Sequence, residues 1–303
     1  MSLLIQSPGL LTTVQDAGCF GAQAFGMGTS GCMDQQAFRN ANAMVGNPSG
    51  EDAVLECTLI GPEILFTTDT VCAIAGADMQ VNVRGVPVPR ERAFVVLAGQ
   101  TLRFGAAVEG CRAYLAVRGG IGVPVVMGSR STNLKCGVGG YQGRALRGGD
   151  ELQPGSEAHC GPCMPLKTVP HYENDIAVHV VCGPQAACFT SAGLETLRSA
   201  KYTVTQDSDR MGIRLEGPML AHQGVDIVSD GIVFGSVQVP ANGKPIILMA
   251  DHQTTGGYAK IATVCSFDLP GLAQLVPGGT VRFLPVTVRQ AQKMLRKKRK
   301  EEA

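Results

Sequence analysis

The sequence predicts a mainly β protein with two β-rich halves and a few short helices. Short apolar runs rich in β-branched residues recur along the chain, and glycine or proline (39 and 17 residues) separates nearly all of them. Helical patterns are few, which makes an alternating βαβ architecture a poor fit. With 45% hydrophobic and 17% charged residues, the chain can bury a large core, and this excludes a disordered protein.

Six runs carry the clearest strand pattern. They lie at residues 71–75, 93–97, 113–117, 176–182, 246–250 and 258–264. The first helix is predicted to follow Asp34, a good amino-terminal cap, and to run to about Val45. Phe38, Ala41 and Val45 then share one buried face at helical spacing. Further helices are expected near residues 191–200, 268–275 and 287–300.

The chain is predicted to contain two domains and a tail. Similar segments recur in order in both halves, such as TLRF at 101–104 and TVRF at 280–283, with chance similarity as the alternative. Prolines crowd between Pro154 and Pro170, which is typical of a connecting segment. The predicted bounds are an N-terminal β-rich domain at 1–160, a C-terminal β domain at 161–288 and a basic helical tail at 289–303.

The charge is distributed unevenly. The tail from Arg289 holds seven basic and two acidic residues, so the rest of the chain has a net charge of −4 although the whole chain has +1. A mildly acidic body argues against nucleic acid as a partner, because phosphate contacts need clustered Lys or Arg. Eleven scattered cysteines, no basic signal sequence and no long apolar stretch predict a cytoplasmic protein with no membrane partner.

Several short motifs are interpreted as structural. GMGTSG at 26–31 matches a dinucleotide-binding pattern but lacks a surrounding βαβ unit, so it is interpreted as a turn before a helix. Cys160 and Cys163 form a lone C-x-x-C pair, too few ligands for a structural zinc site. Walker A and biotin-attachment motifs are absent from the sequence. We therefore expect no bound metal and no covalently bound cofactor, and we expect ATP or biotin to be carried by another chain.

Two polar segments are candidates for a binding site. The first is GSRST at 128–132, with hydroxyl groups on Ser129, Ser131 and Thr132 and the guanidinium of Arg130. Arg144 follows in a glycine-rich turn. These groups are able to clamp a small anionic substrate, and the alternative is a well-hydrogen-bonded loop.

The second segment is residues 237–258, in which Pro240, Asn242 and Gly243 predict a turn between two strands. The second of these strands runs into the polar sequence DHQTTGGY. Asp251 is a candidate general base or orienting group, and Gln253, Thr254 and Thr255 can hydrogen-bond an amide or ureido group. The alternative is an ordinary turn. Upstream, Arg210 and Arg214 share one face of a predicted strand, where they either line a basic groove or pair with the nearby acids Asp207 and Glu216.

Seven collinear segments identify a family resemblance. They are FGMGTSGCMD (25–34), NAMVGN (42–47), LECTLIGP (55–62), GGIGVPVVMGSRST (119–132), GGYQGRALRGGD (139–150), SDRMGIRLEGP (208–218) and FGSVQVPANGKPIILMADHQTTGGY (234–258). Over residues 1–285 the chain resembles the family variously labelled 5-oxoprolinase C subunit, biotin-dependent carboxyltransferase-like protein and allophanate hydrolase subunit 2 (KipA type). The basic tail lies outside the resemblance.

The resemblance implies a cyclophilin-like barrel architecture, including a barrel in the C-terminal domain at 161–288. It implies an ATP-dependent 5-oxoprolinase, in which this chain joins a KipI-type B subunit and a third protein, the A subunit, to open 5-oxoproline to glutamate. ATP is then used on another subunit. One alternative is a carboxyltransferase component acting on urea-like or allophanate-like amides, with biotin on another chain. Another is a non-catalytic antagonist of a histidine-kinase inhibitor.

Together, the motifs and the resemblance predict a site around a flat cyclic amide or ureido molecule. A planar N–C=O unit needs paired hydrogen-bond donors and acceptors, and the carboxylate of 5-oxoproline needs a cation. The residues predicted to be catalytic are Asp251, Gln253 and Arg130. The residues predicted to bind substrate are Ser129, Ser131, Thr132, Arg144, Arg210, Gln238, Thr254, Thr255 and Tyr258.

Overall fold

The computed structural model describes residues 2–48 and 52–302 of the chain. Strands contain 35% of the residues and helices 15%, so the prediction of a mainly β protein is confirmed. The chain forms two compact units. The first contains Thr29–Tyr172 and the residues up to Ala22, and the second contains Gln23–Gly28 and the chain from Glu173 onward. The predicted domain bounds stay predictions, because compactness alone does not define an independently folding domain.

The first unit contains eleven strands and one helix. They are β1 (Leu3–Ser7), β2 (Leu11–Gln15), α1 (Gln35–Val45), β3 (Val54–Thr58), β4 (Glu63–Phe66), β5 (Thr70–Asp78), β6 (Asn82–Val83), β7 (Val86–Pro87), β8 (Phe94–Val96), β9 (Thr101–Arg103), β10 (Glu109–Val117) and β11 (Glu151–Leu152). Two sheets result, with strand orders β11-β1-β4-β9-β6-β7 and β2-β3-β10-β5-β8. All their neighbouring strands are antiparallel.

The central strands of the five-stranded sheet are buried on both faces. Along β10, Leu115 packs into the core shared with the other sheet, whereas Tyr114 packs into the core beneath α1. Helix α1 covers that second face with Phe38 and its apolar neighbours. The side chain of Asp34 accepts hydrogen bonds from the first turn of α1, so the predicted cap and helix are confirmed.

The second unit contains two short 3-10 helices, Gln23–Phe25 and Ala186–Cys188. Its described residues also form eight strands and three α-helices. They are β12 (Asp175–Cys182), α2 (Ser191–Ser199), β13 (Lys201–Val204), β14 (Gly212–Glu216), β15 (Asp226–Gly231), β16 (Ser236–Val239), β17 (Ile246–Leu248), β18 (Thr255–Val264), α3 (Leu269–Ala273), β19 (Thr280–Pro285) and α4 (Val288–Glu302). Helices α2, α3 and α4 lie where the sequence predicted them. No helix in the described residues combines the length and apolar character needed to cross a bilayer.

Seven strands of the second unit close into a barrel. Their order is β12-β19-β13-β14-β17-β16-β18, and a further pairing between β12 and β18 completes the ring. Strands β12 and β19 are parallel, and the other neighbours are antiparallel. Strand β15 pairs with β18 outside this ring. The barrel predicted from the family resemblance is therefore confirmed.

Alternation along the barrel strands fixes which side chains face outward. Ile213, Val237 and Ile247 are buried in the barrel interior. Because successive side chains on a strand point to opposite faces, their neighbours Arg214, Gln238 and Ile246 project from the outer face. A cleft that is the candidate site lies on that outer face.

Candidate functional site

A cleft of about 580 Å³ lies on the outer face of the barrel. Its apolar floor includes Met211, Ile246 and Leu248. Its polar lining consists of Thr205, Asp207, Arg214, Glu216, Gln238, Asn242, Lys244, His252, Gln253 and Tyr258. The cleft therefore brings amide, imidazole, phenol and charged groups around a small apolar surface, which suits a small polar ligand.

Strand register places one row of these side chains across the cleft. Ile246 on β17 lies opposite Arg214 on β14 and opposite Gln238 on β16. Directly paired residues of antiparallel strands project to the same face. The row therefore puts a guanidinium at one end and a carboxamide at the other, with an isoleucine between them.

A tight turn between β16 and β17 supplies one wall of the cleft. The amide of Gly243 donates to the Pro240 carbonyl over 2.9 Å, and Gly243 has a φ of +71°, which favours glycine. The turn projects Lys244, whose ammonium lies 2.6 Å and 2.8 Å from the two carboxylate oxygens of Glu216. The predicted Pro-Asn-Gly turn is confirmed, and it places an ion pair at the cleft margin.

A buried ion pair supports the end of the cleft that follows β17. Nε of Arg210 lies 2.9 Å from Oδ2 of Asp251, and its Nη2 lies 3.0 Å from Oδ1. The two side chains are only 4% and 5% exposed. In addition, the amide of Asp251 donates to the Arg210 carbonyl over 2.9 Å. This pair fixes the start of the segment that carries His252 and Gln253.

The His252 ring lines the cleft in a defined tautomer. Its Nδ1 lies 2.7 Å from the Gln253 carbonyl oxygen, which can only accept a hydrogen bond, so Nδ1 carries the proton. Nε2 of the neutral ring then carries the lone pair. Burial lowers the pKa of His252 below its ordinary value, an effect opposed by the Gln253 hydrogen bond and by the Asp251 charge. At neutral pH the ring is therefore an uncharged base.

The absence of a side chain at Gly256 leaves room for two carboxamides. A Cβ added there would lie 2.8 Å from Nε2 of Gln238 and 3.0 Å from Nε2 of Gln253. Both amides therefore border the same small space at the start of β18. Nε2 of Gln238 also donates to the Tyr258 carbonyl over 3.3 Å. These groups can present amide donors to a carbonyl oxygen in the cleft.

The predicted residues of the second unit fall into three groups. Gln238, Gln253 and Tyr258 line the cleft. Arg210 and Asp251 form the buried pair behind it, and the Asp251 carboxylate faces Arg210. Thr254 and Thr255 lie at the start of β18 towards β15, where the Thr254 carbonyl accepts from Ile232 and Thr255 pairs with Gly231. The catalytic roles predicted for Asp251 and Gln253, and the binding roles predicted for the other residues of these groups, stay predictions.

The GSRST segment of the first unit is fastened to the end of β2 by Asp16. The Asp16 carboxylate accepts hydrogen bonds from the hydroxyls of Ser129, at 2.6 Å, and Ser131, and from the backbone amide of Arg130. The Thr132 hydroxyl donates to the Val14 carbonyl over 2.9 Å. These hydroxyls thus make the hydrogen bonds of a stable loop, as the alternative interpretation of this segment requires.

Arg144 also has a partner within the first unit. Its guanidinium forms a bidentate pair with Asp150, at 2.7 Å and 2.8 Å, and lies 5.2 Å from the centre of the Tyr141 ring. The hydrogen bonds from Arg144 hold the pKa of Asp150 below its ordinary value. The carboxylate-binding roles predicted for Arg144 and Arg130, and the predicted convergence of both segments on one ligand, stay predictions.

Several residues that line the cleft have no role predicted from the sequence. His252 stands between Asp251 and Gln253, which are both predicted site residues. Asn242 and Lys244 belong to the turn between β16 and β17. The signal that identifies them is positional, since they follow the ends of β16 and β17, where rigid strands run into loops. The prediction that Arg210 and Arg214 share one strand face is wrong, because β14 begins at Gly212 and Arg210 is buried against Asp251. Arg214 alone lies on β14 and lines the cleft, which agrees with the predicted groove.

The chain is similar in sequence to a known protein family and to named bacterial proteins. Residues 25–285 match the family described as "Carboxyltransferase domain, subdomain A and B". The chain is 37% identical over 292 residues to the 5-oxoprolinase C subunit of Haemophilus influenzae, covering 94% of this chain and 91% of that protein. It is also 37% identical over 292 residues to the 5-oxoprolinase C subunit of Escherichia coli, covering 96% and 93% respectively.

A much larger enzyme shares the fold. The crystal structure of the Kluyveromyces lactis urea carboxylase aligns with a TM-score of 0.91 and 32% identity, covering 99% of this chain and 28% of that chain. This chain thus corresponds to little more than a quarter of the urea carboxylase.

Proposed function

This chain belongs to the carboxyltransferase domain family, and we propose that it serves as the C subunit of an ATP-dependent 5-oxoprolinase that hydrolyses 5-oxoproline to glutamate. Its identity to two proteins named as 5-oxoprolinase C subunits, over nearly the whole of each chain, supports this proposal. The structural observation that carries it is the barrel cleft, where two carboxamides and a neutral imidazole face the same space.

The cleft chemistry fits a five-membered lactam. The amides of Gln238 and Gln253 supply donors for the ring carbonyl, and their oxygens supply acceptors for the ring N–H. The apolar floor around Ile246 and Leu248 suits the methylene carbons of the ring. A planar N–C=O unit therefore meets complementary groups on its edge and a hydrophobic surface on its face.

His252 is the general base in the proposed hydrolysis. Nε2 takes a proton from a water molecule as its oxygen bonds to the lactam carbonyl carbon. The imidazolium then returns that proton to the ring nitrogen as the C–N bond breaks, which gives glutamate and restores the neutral ring. Such a base contributes about 10²–10⁴-fold to the rate. Amide donors from Gln238 and Gln253 stabilise the developing oxyanion, at about 3 kcal/mol for a well-placed donor.

In the proposal, another subunit binds the ATP that activates the lactam. Resonance makes an unactivated lactam a poor electrophile, and ATP bound on another subunit provides the activation. The proposed partners are a KipI-type B subunit and a third protein, the A subunit. In this chain, Arg210 and Asp251 act as positioning residues for His252.

The test is ATP-dependent glutamate release from 5-oxoproline by the chain co-expressed with its companion subunits. We expect release to require this chain and to fall at least a hundredfold in His252→Asn. The matched control is His171→Asn, since His171 is exposed in the first unit and pairs with Glu109. Full activity without this chain would overturn the proposal.

A second candidate function is carboxyl transfer to a urea-like amide, with biotin on another chain. The structural similarity to the Kluyveromyces lactis urea carboxylase favours this candidate. The same cleft chemistry suits a ureido group, which also presents a planar N–C=O unit. Turnover that requires bicarbonate and a biotin-carrying partner would support carboxyl transfer, whereas turnover that is independent of bicarbonate would support lactam hydrolysis.

A further inference from the structure

Two basic side chains line the cleft beside His252, and their environments differ. The Lys244 ammonium is paired with both oxygens of the Glu216 carboxylate. The Arg214 guanidinium lines the same cleft but makes no hydrogen bond or ion pair within residues 2–48 and 52–302. The hydrogen bonds of Arg214 to the described residues are made by its backbone. Its amide donates to the Ser208 hydroxyl over 3.0 Å, and its carbonyl accepts from the Thr205 amide over 3.0 Å.

The position of Arg214 suits it to a ligand that also meets the carboxamides. It lies in the middle of β14, in the row that runs through Ile246 to Gln238. Neighbouring strands are about 4.8 Å apart, so the two ends of the row are separated by about 10 Å at the backbone. Side chains reaching inward from both ends can therefore contact one small molecule above Ile246.

The guanidinium offers chemistry that the rest of the cleft lacks. A planar fork of N–H donors matches a carboxylate in a bidentate geometry and carries a permanent positive charge. Asp207 and Glu216 also line the cleft, and Lys244 neutralises Glu216. Asp207 is thus the acidic group that opposes an anionic ligand, and Arg214 is the cation available to attract one.

We infer that Arg214 is a carboxylate-recognition subsite, which makes the cleft select a lactam bearing a carboxylate over the corresponding neutral lactam. The identity of the ring rests on the proposed function, whereas the carboxylate preference rests on the Arg214 environment. Urea itself has no carboxylate, so a carboxylate preference of this subsite favours 5-oxoproline over urea as the ligand of the cleft.

The test is equilibrium binding of two probes to the full chain: 5-oxoproline and its neutral amide, 5-oxoprolinamide. We expect the wild-type chain to bind 5-oxoproline about tenfold more tightly, as a charge-assisted hydrogen bond of modest strength would give. Arg214→Gln should abolish that preference by weakening only 5-oxoproline binding. Asp207→Asn should enlarge the preference by removing a repulsive charge.

Arg282→Gln is the matched control, because Arg282 is an exposed arginine on β19 of the same barrel and pairs with Asp175 outside the cleft. It should leave both dissociation constants unchanged. The inference is overturned if Arg214→Gln keeps the preference for 5-oxoproline, or if the wild-type chain shows no preference or no binding.

Glutamate release by the assembled complex reports on the proposed function separately. If Arg214→Gln leaves the KM of an active complex unchanged, the inference fails while the function stands. If the chain binds 5-oxoproline through Arg214 but its complex releases no glutamate, the function fails while the carboxylate subsite stands.

Discussion

The tautomer and the protonation of the His252 ring determine whether it can act as the proposed base in the cleft. A carbonyl acceptor at Nδ1 fixes the tautomer, and burial disfavours the charged form. A base must be unprotonated to take a proton from water, so both effects favour the active form. The same residue would be a poor base if it were exposed and free to exchange tautomers.

The first prediction concerns pH. Because the pKa of His252 lies below the ordinary value of 6.5, the neutral, active ring predominates at neutral pH and is lost as the pH falls through that lowered pKa. We expect kcat/KM for glutamate release to be level near neutrality and to fall in acid, with an apparent pKa below 6.5. Measuring kcat/KM between about pH 5 and about pH 8 checks this.

His252→Asn should remove this acid limb along with most of the activity. An acid limb that persists in His252→Asn, with the same apparent pKa, would assign the titration to another group.

The second prediction concerns Gly256. In Gly256→Ala the new methyl would lie 2.7 Å from the end of the Ile232 side chain as well as against the two carboxamides. These atoms end flexible side chains, so they can move and the fold should persist while the donors are displaced. We expect about a tenfold loss in kcat/KM with little change in Tm, measured by glutamate release and thermal unfolding.

Gly257→Ala is the matched control. A Cβ at Gly257 would lie 3.4 Å from its nearest neighbour, the Ile227 carbonyl oxygen, which is an ordinary contact. Equal losses of activity in the two alanine variants would contradict the role given to the space beside Gly256.

At the scale of elements, the cleft depends on how the chain continues beyond β14 and β17. Two residues before β14 are joined to two residues after β17 by backbone hydrogen bonds. The amide of Met249 donates to the Met211 carbonyl, and the amide of Asp251 donates to the Arg210 carbonyl. The buried pair of Arg210 and Asp251 closes the same junction with side chains. The polar segment after β17 therefore has a fixed position relative to the strands that floor the cleft.

The third prediction concerns this junction. Asp251→Ala removes the carboxylate that forms a buried ion pair with the Arg210 guanidinium, and breaking a buried pair typically costs about 3–5 kcal/mol. We expect a loss of that order in the free energy of unfolding, measured by urea denaturation. Lys244→Ala breaks an exposed ion pair at the cleft margin and should cost at most about 1 kcal/mol. Similar costs for both variants would contradict a structural role for the buried pair.

The elements themselves could be predicted from local sequence. The cap at Asp34, the turn at Gly243 and the helices all follow from short-range chemistry, and the structure confirms them. The partners of the GSRST hydroxyls could not be predicted in this way. Asp16 lies more than a hundred residues before Ser129, and no local pattern reveals which acid a serine will meet.

At the scale of the whole molecule, the ring of strands explains why one face carries the cleft. Closure through β12, β18 and the parallel strand β19 fills the interior with apolar side chains. Alternate residues must then face outward, and a run of polar outward residues on β14 and β16 becomes a binding surface. The family resemblance predicted the barrel, and the alternation explains its chemistry.

The sequence does not predict which residues of the predicted site line the cleft and which are buried behind it. The sequence placed Gln253, Asp251 and Arg210 together in one functional set, but only Gln253 lines the cleft, whereas the other two are buried behind it. All three residues lie outside the strands, and the hydrogen-bonded contact between the segment before β14 and the segment after β17 decides their positions. The position of His252 in the cleft, on which its proposed role as a base rests, follows from the same contact.

The central claim is that the barrel cleft of this chain binds 5-oxoproline beside His252. The most direct measurement is a titration of the ¹⁵N-labelled full chain with 5-oxoproline, following backbone amide shifts, with proline as the matched compound that lacks the lactam carbonyl. We expect 5-oxoproline to shift amides clustered around Gln238, His252 and Gln253, and proline to leave them unchanged. Shifts confined to residues 128–144 of the first unit, or no shifts at saturating 5-oxoproline, would contradict the claim.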